Sequence, residues 1–177
     1  DGVTWDTLVT FDGPLDHGGL GGAPLEYDPH THVALGGGGS AGEGNNAVNT
    51  PGGHGGGVIW LRVGTLAGAG TLLADGADAA PAGGDGGGGG GAGGLGVVLC
   101  PGTIRFQVAS AIGGVGGDCS SSHGPGGGGG GGRIHLQGST VGCAGATTAG
   151  IAGWAGADGP RDAGPVDPTA APWVGLE

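Results

Sequence analysis

Three aspartates, Asp78, Asp118 and Asp158, stand at equal intervals along the chain, each at the end of a glycine-containing loop. Calcium takes several oxygen ligands from loops of this kind, so these carboxylates are candidate calcium ligands together with backbone carbonyls. The competing use of an aspartate there is a bond from its side chain to nearby backbone. Residues 113–118, Gly-Gly-Val-Gly-Gly-Asp, match the first six positions of a calcium-binding nonapeptide, but Ser120 stands where an apolar residue belongs and the motif does not recur. His30, Thr31 and His32, with Asp28 and His17, form a second candidate metal group, because a His-x-His pair on a strand puts both rings on one face. His54, His123 and His135 lie beside glycine runs, where they could cap backbone groups. The three cysteines fit no zinc or redox spacing. Cys100 and Cys143 both end apolar runs and are the expected disulfide, leaving Cys119 unassigned, with Cys119 to Cys143 or three buried thiols as the alternatives.

No Gly-x-Ser-x-Gly elbow, Walker loop or catalytic cysteine motif is present. Matches to Gly-x-Gly-x-x-Gly arise by chance in a chain with 54 glycines among 177 residues, and no helical pattern surrounds them. The expectation is therefore a protein that is not an enzyme, with no cofactor other than calcium.

The elements that would position these residues form a repeated block. A glycine run leads into an apolar strand, then a short Gly-Thr element, then a loop ending in aspartate. The glycine run 86–91 is matched by 126–132, and the apolar runs are Val58-Ile59-Trp60-Leu61, Val97-Val98-Leu99 and Ile134-His135-Leu136. Gly64-Thr65, Gly102-Thr103 and Gly138-Ser139 follow them and set up a candidate column of hydroxyls. A period of about 40 residues, the interval of the aspartates, implies stacked units. Composition alone, with 54 glycines and 11 prolines, reads as disorder. The clustering of apolar residues into bounded runs argues instead for buried strands.

An ordered glycine run costs about 0.5–1 kcal/mol per residue relative to alanine, so it persists only where every backbone group finds a partner. An extended helix of three residues per turn, packed against side-chain-free neighbours, meets that condition. The expected fold is all-β or irregular, essentially without α-helix: a solenoid-like repeat stack combining short strands with polyglycine II-type helices. Residues 1–50 are read as an N-terminal strand and cap, 51–159 as the repeats, and 160–177 as a proline-containing extended tail. Val3, Trp5, Leu8 and Phe11 in the first segment, and Trp173 and Val174 in the last, are the expected contacts between subunits.

The net charge of −11, with no lysine and only four arginines, argues against nucleic-acid partners, which need clustered cations. No apolar run is long enough to predict membrane insertion. The lack of methionine and of a basic-then-apolar leader suits a mature secreted chain or a portion of a larger one, located outside the cell or on its surface. Glycans are candidate partners through Ser120, Ser121, Ser122, Thr147 and Thr148, or through tryptophan platforms at Trp5, Trp60, Trp154 and Trp173 with Tyr27.

Residues 55–61, Gly-Gly-Gly-Val-Ile-Trp-Leu, followed by Gly64-Thr65-Leu66-Ala67-Gly68 and Leu72-Leu73-Ala74-Asp75-Gly76, resemble the glycine-rich repeats of bacterial and plant cell-surface proteins. Residues 126–136 carry the same signature, so the resemblance covers roughly 50–160. In glycine content the chain is also similar to polyglycine II bundle proteins, such as springtail antifreeze proteins and phage tail-fibre tip adhesins, although regular Gly-x-x triplets are lacking. The combined expectation is a secreted structural protein that assembles with itself into a filament or surface layer. Two alternatives are an adhesin displaying loops such as 77–85 and 119–125, and an ice-binding protein using Thr65, Thr103 and Ser139.

Overall fold

The computed structural model describes residues 31–42, 50–119, 124–140, 144–146 and 173–176. Among them there is no helix, and therefore none long and apolar enough to cross a membrane. Each apolar run that follows glycines is a strand: β1 (Val58–Arg62), β4 (Leu95–Arg105) and β6 (Arg133–Thr140). With β8 (Trp173–Leu176) they form one parallel sheet in the order β1-β4-β6-β8, and β2 (Leu66–Ala67) pairs with the far end of β4. β3 (Thr71–Leu73), β5 (Val108–Ser110) and β7 (Ala144–Ala146) form a second parallel sheet. A single core cluster joins the two sheets: Val98, Cys100, Ile104, Ile134 and Leu136 of the first, and Ala109 of the second, pack with Ala74, Phe106 and Ala111.

The sheet registers give a shorter step between units than the aspartates suggest. Val58 pairs with Leu95 (95 − 58 = 37), Leu95 with Arg133 (133 − 95 = 38) and Val108 with Ala144 (144 − 108 = 36). Pairing fixes the step: Asp78 lies within a bonded segment and meets Val115, three residues short of Asp118. The apolar run and the Gly-Thr element of the second unit are one strand of 11 residues, β4, with a register shift between Leu99 and Thr103 around Pro101-Gly102. Gly138, opposite this irregularity in β6, has φ 145°, and a side chain there would strike the Cys100 carbonyl.

Among the described residues, six segments lie beyond the strands, 36–42, 50–57, 74–82, 86–94, 111–118 and 124–132, bonded to one another through backbone. The bonds recur every third residue. Gly87, Gly90 and Gly93 donate to the carbonyls of Gly124, Gly127 and Gly130 in a parallel neighbour at 2.9–3.0 Å. Gly126, Gly129 and Gly132 donate to Gly117, Gly114 and Ala111 in an antiparallel one at 2.7–2.8 Å. Successive strand residues point their bonds to two sides only. A period of three turns each segment toward neighbours in three directions, so segment 86–94 bonds to all five of the others.

Such bonding leaves no room for Cβ atoms inside. A methyl group added at Gly56 would overlap the Ala74 carbonyl and come within 2.5 Å of the Gly94 amide nitrogen, both of them backbone. At Gly57, one residue on, it would meet nothing within 4 Å. We therefore expect Gly56→Ala to destabilise the fold by about 1–3 kcal/mol, the usual range for overpacking. Gly57→Ala should stabilise it by about 0.4–1 kcal/mol, by restricting the unfolded chain. Thermal or denaturant unfolding of the two variants against the parent checks the opposed signs.

Candidate functional site

The strongest side-chain chemistry lies where one unit is fastened to the next. Asp75 leaves β3 at the head of segment 74–82, and its half-buried carboxylate accepts the Ser110 hydroxyl at 2.6 Å and the Ile112 amide at 2.9 Å through one oxygen, Oδ1. Further along the same segment, Asp78 Oδ1 accepts the Val115 amide at 2.7 Å. The two carboxylates thus bind amides three residues apart on the same neighbouring segment, 111–118. Sequence reasoning singled out Asp78 and passed over Asp75. The signal was the spacing of Asp75 and Asp78, which matches the bonding period of three.

The bond made by Asp78 reaches a distant segment and is not a local turn. Asp118 is exposed and lies level with Ala82, whose amide donates to the Asp118 carbonyl at 2.8 Å, so the register leaves it well along the segment from Asp78. Asp158 lies outside the described residues. Among the described residues, no group of three His, Cys, Asp or Glu side chains comes together. His32 Nδ1 is 2.8 Å from the Thr31 hydroxyl, both exposed, while His17, Asp28, His30 and His123 are outside the described residues. His54 is exposed, and its backbone carbonyl joins the bundle by accepting from Ala77. His135 is buried in β6.

Cys100 is a buried thiol that donates to the Gly64 carbonyl, with Sγ 3.4 Å away, and it lies 3.6 Å from the Thr103 carbonyl. Its expected disulfide partner, Cys143, is outside the described residues. Cys119 is buried against Ala82.

One expectation about an exposed segment needs correction. Residues 77–82 are not a displayed loop: Ala77, Ala79 and Ala82 donate to His54, Val115 and Asp118, and only 83–85 turn, with Gly83 at φ 60°. Alanines are tolerated there because the segment has the bundle on one side only. Trp173 and Val174, expected contacts between subunits, lie in β8, one edge of which pairs with Arg133 and Ile134 of their own chain while no described strand covers the other. The backbone edge that β6 would otherwise leave bare is thereby filled. Val3, Trp5, Leu8 and Phe11, like Tyr27 and Trp154, are outside the described residues.

What remains open is the opposite edge. Among the described strands nothing pairs with the outer side of β1, Val-Ile-Trp-Leu-Arg, and Trp60 on it is 45% exposed. Thr65, Thr103 and Ser139 stand exposed near the far end of the same sheet, Thr103 directly paired with Ser139. They form a single row of hydroxyls. No protein-family model matches the chain, and no curated protein or solved structure is significantly similar to it.

Removing the Asp75 carboxylate leaves the Ser110 hydroxyl and the Ile112 amide without their acceptor. Asp75→Ala should cost about 1–3 kcal/mol, the usual cost of stranding a buried hydrogen-bonding group. Asp78→Ala, at an exposed site, should cost about 1 kcal/mol or less. Denaturant titration of both variants checks the order.

Proposed function

We propose that this protein is an extracellular structural module in which polyglycine II-type helices hold a solenoid-like stack together, and that it assembles edge to edge into a filament or surface layer. One observation carries the reading. Among the described residues, the larger sheet is wholly parallel and ends in two unlike strands, β1 and β8. Joining β8 of one copy to β1 of the next continues the sheet in register and direction. Such a head-to-tail contact does not close on itself, and it propagates as a fibre unless its rotation makes a ring. The β1 edge also lacks the usual protections against pairing: it has no proline, no lysine and no inward charge, and its one charged residue is Arg62 at its end.

The thin core points the same way. The buried hydrophobic side chains among the described residues are few and mostly small, with alanines prominent, so pairing between copies protects surface that the single chain leaves open. The acidic, lysine-free composition suits an extracellular setting, and the reading assigns no catalytic residue.

The test is negative-stain electron microscopy of the purified chain at neutral pH, beside Trp60→Lys, which puts a charge in the middle of the open edge. Filaments are expected from the parent and dispersed particles from the variant. The melting temperature of the variant should stay within about 4 °C, because exposed substitutions rarely exceed about 0.5 kcal/mol. Dispersed compact particles from the parent would overturn assembly and favour the adhesin. Filaments that persist in Trp60→Lys would reject β1 as the contact.

A further inference from the structure

The glycine segments stack in one direction, and the positions that must lack a side chain follow it. A Cβ at Gly126, Gly129 or Gly132 would strike, in turn, the carbonyl of Gly88, Gly91 or Gly94. One unit earlier, a Cβ at Gly88, Gly91 or Gly94 would strike that of Pro51, His54 or Gly57. The same relation holds between segments 111–118 and 74–82, where a Cβ at Gly114 or Gly117 would meet the carbonyl of Ala77 or Ala80. All eight of these glycines are buried. Each series marks the side of a segment that is pressed against the backbone of the unit before it.

Carried one unit further back, the series reaches Pro51, His54 and Gly57 in segment 50–57, and Ala77 and Ala80 in segment 74–82. All five are exposed, so this outer face of the first unit stands in solvent. Backbone bonding alone would let the stack continue across it. The Gly89 and Ala92 carbonyls accept the Gly53 and Gly56 amides of the unit before, and the Gly127 and Gly130 carbonyls accept those of Gly90 and Gly93. Their counterparts in the first unit, the carbonyls of Gly52 and Gly55, receive no backbone amide among the described residues. What differs is the side chains. A further segment at lattice distance would bring its carbonyls to the places that the Pro51 ring and the His54 side chain already fill. Only Gly57, where the segment enters β1, leaves its place clear: a Cβ there would meet nothing within 4 Å.

We propose that the first unit is the terminal layer of the glycine lattice: Pro51 and His54, with the methyl groups of Ala77 and Ala80 beside them, hold its outer face shut against another backbone, and a second copy can meet it only along the strand edge that begins beyond Gly57. A stack of repeats needs such an end unit, because a face with bonding groups to spare recruits further chain. The bundle is closed here and the sheet beside it is not. In β1 the side chains leave to the two faces of the sheet, and the edge is bare backbone. The closure follows from the three-residue series alone, whereas the restriction on where copies meet rests on the assembly proposed above.

A nonaglycine peptide carrying a polyethylene glycol tail is the probe for the closure, followed through the carbonyl carbon shifts of Gly52 and Gly55 in the labelled full chain. Pro51→Gly/His54→Gly should bind it at least tenfold more tightly than the parent, with both shifts moving. Comparable binding to the two chains, or none to either, overturns the closure: the face is then open already, or shut by something other than these side chains. Should the double variant fail to fold, His54→Gly alone clears the central position and decides in the same way. Electron microscopy of His54→Trp tests the restriction separately. Filaments should persist, with a melting temperature within about 4 °C of the parent. Their loss at an unchanged melting temperature would place backbone of the next copy against 50–57 and overturn the restriction. Absence of filaments from the parent removes the assembly reading and the restriction with it, while the peptide still decides the closure.

Discussion

Everything in this fold depends on how closely backbones approach one another. A segment that bonds in three directions at 2.7–3.0 Å has neighbours where side chains would be, so glycine is required by contact and not by turn geometry. The methyl that alanine would add at Gly56, Gly93, Gly114 or Gly129 overlaps a carbonyl of the adjacent segment. The entropy each glycine loses is offset because the interior groups of the bundle are paired, which removes the cost of burying them bare. A domain with little apolar surface can thereby be ordered throughout an interior made almost entirely of peptide groups.

The same network governs the sheets. Segments 50–57, 86–94 and 124–132 run directly into β1, β4 and β6, and the junctions are themselves bonded: the Leu95 amide to the Gly57 carbonyl, and the Arg133 amide to the Gly94 carbonyl. Strands launched from parallel segments are parallel from their first residue, which explains a parallel sheet without the crossover helices that usually accompany one. It also explains where the apolar core lies. Side chains are excluded from the bundle, so Val98, Ile104, Ile134 and Leu136 gather beyond it, between the two sheets.

The strands were legible in the sequence because their signal is local: Val58, Val97 and Ile134 each open an apolar run after glycines. The glycine runs 86–91 and 126–132 were legible as packed elements for the reason just given. Segment 74–82, Ala-Asp-Gly-Ala-Asp-Ala-Ala-Pro-Ala, was not, because it contains one glycine and reads as a loop. It belongs to the bundle only through neighbours far away in the chain. Asp75 was hidden for the same reason, since its partners Ser110 and Ile112 are 35 and 37 residues on. The interval of 40 between aspartates overstated the repeat length, because the step of 36–38 residues between units is set by strand pairing and is not visible in local sequence.

Register is the problem that a glycine lattice cannot solve alone. Sliding one segment past another by a full turn of three restores every backbone bond, and a run of identical residues offers nothing to oppose it. In a strand buried on one face, a slip of one position turns every side chain to the wrong side, whereas a slip of two restores the alternation. Because each glycine segment continues into a strand, a slip must satisfy both periods, and the smallest that does is their common multiple, six. A slip of that size would move Asp75 off the Ser110 hydroxyl, the one side-chain partner among these bonds, while the backbone amides met by Asp75 and Asp78 belong to the repeating series. The Asp75–Ser110 bond is therefore the register pin between the first and second units, and with the two periods it does for the stack what side-chain packing does in an ordinary core.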